Sequence, residues 1–293
     1  MAANMKAVKL RMKSVKTTMQ IIKAMELVAS SKLRKAKERA ETCRPYFQEL
    51  HQTLKDIAAG NMDFSSVYAK AASGKKTCYI LAGGDRGLAG GYNANLFRCL
   101  EADCAWKEFV VLPIGKRAVE YVHRKGYECL TDEFDEVADI SVADCFEIAD
   151  MLCHEFRQEK FDRIDICYTT FVSMLAQQPG IIPALPIMDL KETSVTDLKG
   201  SAQQMKSVRN LILYEPDAAQ VFDAIVPEYL GGLIYGSICE SVASELAARR
   251  TAMEAATGNA EKMIEQLNLH YNRARQASIT QEITEIVAGA EGI

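Results

Sequence analysis

From Val8 the apolar and small positions advance by alternating steps of four and three: Val8, Met12, Val15, Met19, Ile22, then Ala29, Leu33, Ala36, Ala40, Cys43, Phe47, Leu50, Leu54 and Ile57. Only Glu26 breaks the series, with Met25 beside it, and no Pro or Gly intervenes before Pro45. The spacing averages about 3.5 residues, the seam of a coiled coil rather than the wider face of a globular helix. At 1.5 Å per residue, some fifty residues make a rod of about 75 Å. Such a helix is expected to project from a compact domain.

The other end of the chain behaves alike. Pro216-Asp217 suits a helix opening, because Pro fits the first turn and Asp caps free N–H groups. Helical pattern then runs to Ala288, with a bend or break expected at Pro227 and at Gly231-Gly232. The seam reads Val242, Leu246, Met253, Ala256, Ala260, Met263, Leu267, Ala274, Ala277, widened by Ile264, Tyr271, Ile279, Ile283 and Ile286. Two such seams predict an antiparallel pair, with small residues (Ala29, Ala36, Ala40 and Ala256, Ala260, Ala274) allowing close approach. The alternative is two separate helices, each with an external partner.

Between about 75 and 190 the period changes. Strands are predicted at Thr77–Ala82, Glu108–Ile114 and 163–172, with a short one at Tyr127–Leu130. Helices are predicted at Tyr92–Ala105, Lys116–Lys125 and Ser141–Lys160. Strands alternating with helices imply a mostly parallel sheet covered on both faces. Pro183 and Pro186 make "QQPGIIPALPIMDL" extended, and Leu211–Tyr214 is read as a last strand. The predicted class is α/β: a long antiparallel coiled coil of N- and C-terminal helices plus a central Rossmann-like α/β domain. Its parts are a helix at 1–60, the α/β domain at 75–190, a connecting segment at 191–216 and a second helix at 217–289.

Composition alters this picture in two ways. Of 293 residues, 48% are hydrophobic and 25% charged, and no run reaches the ~18 apolar residues that span a bilayer. Net charge is −4, yet residues 1–44 carry +9 and residues 128–165 carry −10. A basic arm suits a polyanionic partner, or is simply a solvated helix face. The nine cysteines lack C-x-x-C pairs and zinc-ligand histidines, so buried, reduced thiols on the cytosolic side are expected.

The segment "AGGDRGLAGGYN" holds five glycines within 83–91 between a predicted strand and helix, where phosphates are often cradled. It fits neither nucleotide template. A P-loop requires Lys-Ser/Thr after the last glycine, where this chain has Tyr92-Asn93. The spacing Gly84, Gly87, Gly90, Gly91 also misses G-x-G-x-x-G. Those four glycines are read as a structural turn, with Asp85 and Arg86 bonding locally. His51, His123, His154 and His270 lie far apart, and the carboxylates Asp132-Glu133 and Asp135-Glu136 sit in an acidic loop. Hence no catalytic residue, cofactor or metal site is expected.

Four segments together resemble the γ subunit of F-type ATP synthases: "KLRMKSVKTTMQIIKAMELVASSKLRKA" (9–36), "GGDRGLAGGYNANL" (83–96), "LYEPD" (213–217) and "YNRARQASITQEITEI" (271–286). Ala89 and Tyr92 depart from the usual residues of that family. The resemblance implies a non-catalytic rotor shaft that couples ion flow to ATP synthesis or hydrolysis. It implies partners in the α and β subunits of the catalytic ring, the ε subunit and the membrane rotor ring. It also implies a peripheral place on the cytoplasmic face of the cell membrane, no nucleic acid and no homo-oligomer. Ring contacts are expected from Lys23, Met25, Arg249, Arg275, Gln276, Thr280, Glu282, Ile279, Ile283 and Ile286. Contacts to ε and the membrane ring are expected from Tyr214 and Glu215. No insertion with paired cysteines is present, so thiol control is not expected. The competing reading is a free α/β nucleotide-binding enzyme with a coiled-coil arm; a nucleic-acid-binding coiled coil is a third.

Overall fold

The computed structural model describes residues 2–60, 66–69, 76–137, 140–187 and 214–291. Helix α1 (Ala2–Gly60) is followed by a 3₁₀ turn at Val67–Ala69, then β1 (Thr77–Ala82), α2 (Tyr92–Cys104), β2 (Phe109–Ile114) and α3 (Lys116–Lys125). Helix α4 (Val142–Arg157), β3 (Arg163–Phe171), β4 (Gln177–Leu185) and α5 (Ala218–Glu291) complete the order. The predicted elements recur within a few residues of their expected ends. The short strand at Tyr127–Leu130 reduces to one bridge, Val111 to Cys129. Tyr214 is not in a strand, and 188–213, with most of the connecting segment, lies outside the described residues.

The chain divides into two compact units, and both long helices contribute to each. One unit holds 33–87 and 91–245 and is built on a four-stranded sheet of order β2-β1-β3-β4. Strands β1, β2 and β3 are mutually parallel, and β4 runs antiparallel along β3. Its prolines fit a strand with only one partner, since proline gives no N–H to a second neighbour. Alternation along β1 sends Cys78 and Ile80 to one face and Tyr79 and Leu81 to the other, and all four are buried. Helices α2 and α3 cover the Tyr79 face with Leu96, Leu100, Ala118 and Val122. On the other face, α4 packs together with the last turns of α1 and the first turns of α5.

Helix α4 starts at a capping box: the Ser141 hydroxyl accepts from the Asp144 N–H at 3.2 Å, and the Asp144 carboxylate accepts from the Ser141 N–H at 2.7 Å. Within this unit α1 and α5 are antiparallel. The Cys43 thiol meets Cys239, and two turns further along α1, His51 stacks on Tyr229 with ring centroids 5.7 Å apart.

The expected interruption of α5 does not occur; the helix is continuous through Pro227 and Gly231-Gly232. Phe222, Val226, Leu230, Ile234 and Ile238 form a row at steps of four, all 4% exposed or less. A proline inside a helix costs ~3 kcal/mol, whereas each large apolar side chain gains ~1.5–3 kcal/mol on burial. Packing therefore outweighs the proline. Gly231 is a contact point, not a break. A Cβ there would lie 2.4 Å from the Phe146 ring, so its bare Cα lets α4 dock against α5.

The second unit holds 1–32, 88–90 and 246–293. Along α1 the predicted seam is observed: Val8, Met12, Val15, Met19 and Ile22 are half-buried and Ala29 is buried, while most positions between them are exposed. On α5 the seam differs from its prediction. Met263 is 42% exposed and Ala277 is exposed, and the inward positions are Met253, Thr257, Ala260, Ile264, Leu267, Tyr271, Ala274 and Ser278. That series alternates four and three without a break. Two of its members are polar, so a search by hydrophobicity slides onto the neighbouring apolar residues. Lys23 Nζ pairs with Glu261 Oε1 at 3.0 Å across this antiparallel pair.

Three variants test this packing by thermal unfolding. Gly231→Val forces a methyl group into the Phe146 ring and is expected to cost ~1–3 kcal/mol. Met263→Ala, at an exposed site, is expected to stay within ~0.5 kcal/mol of the parent, and Ile264→Ala to lower stability more than Met263→Ala does.

Candidate functional site

In a doubly wound sheet the ligand crevice lies at the carboxyl ends of the strands, where the strand order reverses. Here the chain leaves β1 towards β2 on one side and later returns to β3 on the other, so that point falls between β1 and β3. The glycine segment 83–91 begins at this mouth.

The crevice is filled by α5. The last β1–β3 partners are Leu81 and Cys167, so beyond them β3 has no strand on that side. On its other side Thr169 faces Pro179, which has no N–H. Ser241 and Ser244 of α5 take up the backbone groups of Thr169. The Thr169 N–H donates to Ser241 Oγ at 3.1 Å, and the Ser244 hydroxyl donates to the Thr169 carbonyl at 3.0 Å. All three residues are buried. Tyr92, the first residue of α2, donates its hydroxyl to the Ala82 carbonyl at 3.4 Å and meets Ser241 and Thr169. Burial pushes its phenol well above the usual range, so it stays a neutral donor.

The glycine loop closes on a side chain of the chain itself, Glu245. A Cβ at Gly84 would lie 2.7 Å from Glu245 Oε1, and Glu245 is only 8% exposed. The Gly84 N–H donates to Asn93 Oδ1 at 3.0 Å, holding the loop to the start of α2. The Asp85 Oδ1 also reaches far along the chain, accepting from the Val137 N–H at 2.8 Å, 52 residues away. A Cβ at Gly87 would meet the Arg117 side chain at 3.4 Å, and Gly91 is the residue before α2. Gly90 has φ +58 and lies beside Ala252 within its own unit.

The other singled-out residues are surface positions of the helices. Lys23 is half-exposed in its pair with Glu261, Met25 half-buried, and Arg249 partly covered. Arg275, Gln276, Thr280 and Glu282 are exposed, and the Ser278 hydroxyl reaches Glu282 at 3.5 Å. Ile279, Ile283, Ile286 and Val287 are 46%, 55%, 71% and 51% exposed, at steps of four, three and one on a single helix face. Tyr214 packs on the core of the unit that holds the sheet, and Glu215 is exposed. Sequence reasoning missed an outward apolar set on α1, namely Leu10, Ile21, Leu27 and Val28, each more than half exposed. Leu10, Ile21 and Val28 share one helix face, but the inward seam is the stronger periodic signal. The same helix borders an open groove of about 890 Å³ rimmed by Lys6, Lys9, Lys13 and Lys16.

Two helices of 59 and 74 residues, with a sheet domain whose crevice is filled from within, make a fold known from solved rotary machines. The rotor of the Euglena gracilis mitochondrial ATP synthase matches with TM-score 0.62 at 18% identity, covering 95% of this chain and all of that one. A chain of that enzyme's OSCP/F1/c-ring structure matches at 0.65 and 19%, covering 100% and 95%. At these identities the two matches show a shared fold. Sequence comparison narrows this to one family. The ATP synthase family model matches residues 4–293. The ATP synthase gamma chain of Ruminococcus albus is 45% identical over 97% of this chain and 96% of its own. That of Alkaliphilus metalliredigens is 40% identical over the full length of both. A gamma chain from Acetobacterium woodii, named as sodium ion specific, is 38% identical, again over both full lengths. The chain belongs to the ATP synthase γ-chain family.

The Gly84–Glu245 contact is testable by a double-mutant cycle. Gly84→Ala is expected to cost ~1–3 kcal/mol in the parent, and markedly less when Glu245 is already Ala. Equal costs in both backgrounds, measured by denaturant unfolding, would count against the contact. Because the crevice is filled, millimolar ATP or NAD is expected to leave the melting temperature of the purified chain unchanged.

Proposed function

We propose that this chain is the rotor shaft of a membrane-bound F-type ATP synthase, a non-catalytic subunit that mechanically couples ion translocation to ATP synthesis or hydrolysis. Family membership supports the assignment. The observation that carries the mechanism is the end of α5, where Ile279, Ile283, Ile286 and Val287 present an apolar face that the described residues of the chain leave exposed. We assign that face to a sleeve formed by the α and β subunits. Among the described residues no helix is long and apolar enough to cross a membrane, which suits a peripheral subunit held through its complex.

The polar positions fit a bearing. Lys23, Met25, Arg249, Arg275, Gln276, Thr280 and Glu282 are proposed to meet loops of the catalytic ring. Exposed ion pairs are worth only ~0–1 kcal/mol and re-form readily, so such contacts hold without arresting rotation. The outward Leu10, Ile21, Leu27 and Val28 and the lysine-rimmed groove extend the same surface along α1, suited to an acidic loop of the ring. Tyr214 and Glu215, on the sheet domain, are proposed to face the ε subunit and the membrane ring. As the ring's sites are chemically alike, the shaft acts by favouring a different conformation in each through differential contacts.

Affinity purification of tagged chain from its native cells, with the membrane fraction kept, is expected to recover three α and three β subunits per chain. Recovery of neither would sink the assignment. Truncation after Ala277 is expected to impair coupling or assembly while the sheet domain keeps its unfolding transition. Lys23→Gln should change stability by less than ~1 kcal/mol, so any larger loss in ATP-driven ion pumping by the assembled enzyme reports a ring contact.

A further inference from the structure

The nine cysteines are scattered along the sequence, but the fold brings Cys99 of α2 and Cys167 of β3 into thiol–thiol contact. An independent hydrogen bond places them. Cys167 is fully buried under α2, and its thiol donates to the Leu96 carbonyl at 3.9 Å. Leu96 precedes Cys99 by three residues, so that carbonyl and the Cys99 side chain share one stripe of the helix. Cys99 is only half-buried. One sulfur of the pair is thus open to small solutes and the other is sealed behind it.

We propose that Cys99 and Cys167 form a peroxide-reactive thiol pair that closes to an intrachain disulfide joining α2 to β3. The thiolate is the reactive form; contact with the Cys167 thiol lowers the Cys99 thiol to about 7 against the opposing effects of burial and Asp103, while Cys99 and burial together raise Cys167, which stays protonated until it is called on. The Cys99 thiolate attacks one oxygen of hydrogen peroxide. The O–O bond breaks, the departing hydroxide leaves as water after taking a proton, and a sulfenic acid remains. Cys167 then gives up its proton and its sulfur attacks the Cys99 sulfur. The S–O bond breaks and a second water leaves. Two thiols and one peroxide become one disulfide and two waters, and two electrons pass from sulfur to the peroxide oxygens. A dithiol reductant reverses the change.

The other thiols lack this combination. Cys43 and Cys239 also touch, but burial raises both, Cys239 to about 11. Cys145 and Cys153 are buried and pushed to about 12 and about 11. The proposal does not depend on the rotor assignment, because it concerns the folded chain alone.

The test uses the purified full chain, treated with one equivalent of hydrogen peroxide, alkylated and digested with trypsin without reduction. The expected product joins peptide 99–107 to peptide 164–191. It should survive in Cys104→Ser, which removes the second cysteine of the first peptide, and vanish in Cys99→Ser. In Cys167→Ser a sulfenic acid at Cys99 should accumulate and be trapped by a 1,3-diketone probe. In untreated parent chain at pH 7, iodoacetamide is expected to label Cys99 at least ~10-fold faster than any other cysteine. The parent chain alone decides the matter if a variant misfolds. Linkage of Cys43 to Cys239 in preference, oxidation of Cys99 to a sulfinic acid without a linked peptide, or labelling of Cys99 no faster than the rest would each overturn the proposal.

Discussion

Two backbone groups of Thr169 organise the sheet domain. They emerge on the side of β3 where β1 has ended, so the sheet cannot satisfy them. A buried amide without a partner costs ~1–3 kcal/mol. Ser241 and Ser244 remove that cost for both groups. The same turns of α5 bring Glu245 against Gly84. Strand ends, glycine loop and helix are thus fixed by one small polar cluster.

This cluster also explains how a Rossmann-like sheet serves a chain with no nucleotide fingerprint. The position that a ligand takes in related architectures is occupied by the protein's own helix, down to a carboxylate at the glycine loop. The loop's spacing fails the nucleotide templates because it is shaped for a fixed side chain and a close helix. A loop of the same composition shaped for phosphates would instead aim successive N–H groups at open space.

What the sequence disclosed followed from periodicity. The α1 seam was legible residue by residue because apolar and small positions alternate there with few exceptions, and strands β1, β2 and β3 were legible from short apolar runs between turns. Where polar residues do a structural task, the reading slipped. Thr257 and Ser278 belong to the α5 seam but look like surface positions. Ser241 and Ser244 look like gaps in an apolar face, because their partner is a strand more than seventy residues earlier. Gly231 signalled a break because its contact with Phe146 is invisible without the fold. The motif at 271–286 marked its helix end as special through resemblance, and the structure adds why: four apolar side chains there have no cover among the described residues.

The bonds to Thr169 have one more consequence. Successive helix residues are rotated by about 100°, so turning α5 about its own axis by a single position would carry both serines away from the strand and swing neighbouring side chains into a sealed site. The helix is therefore keyed in azimuth as well as in height, like a shaft seated on a spline. Torsion applied along the helix reaches the sheet at a point where it cannot slip by one tooth without breaking two buried hydrogen bonds at once.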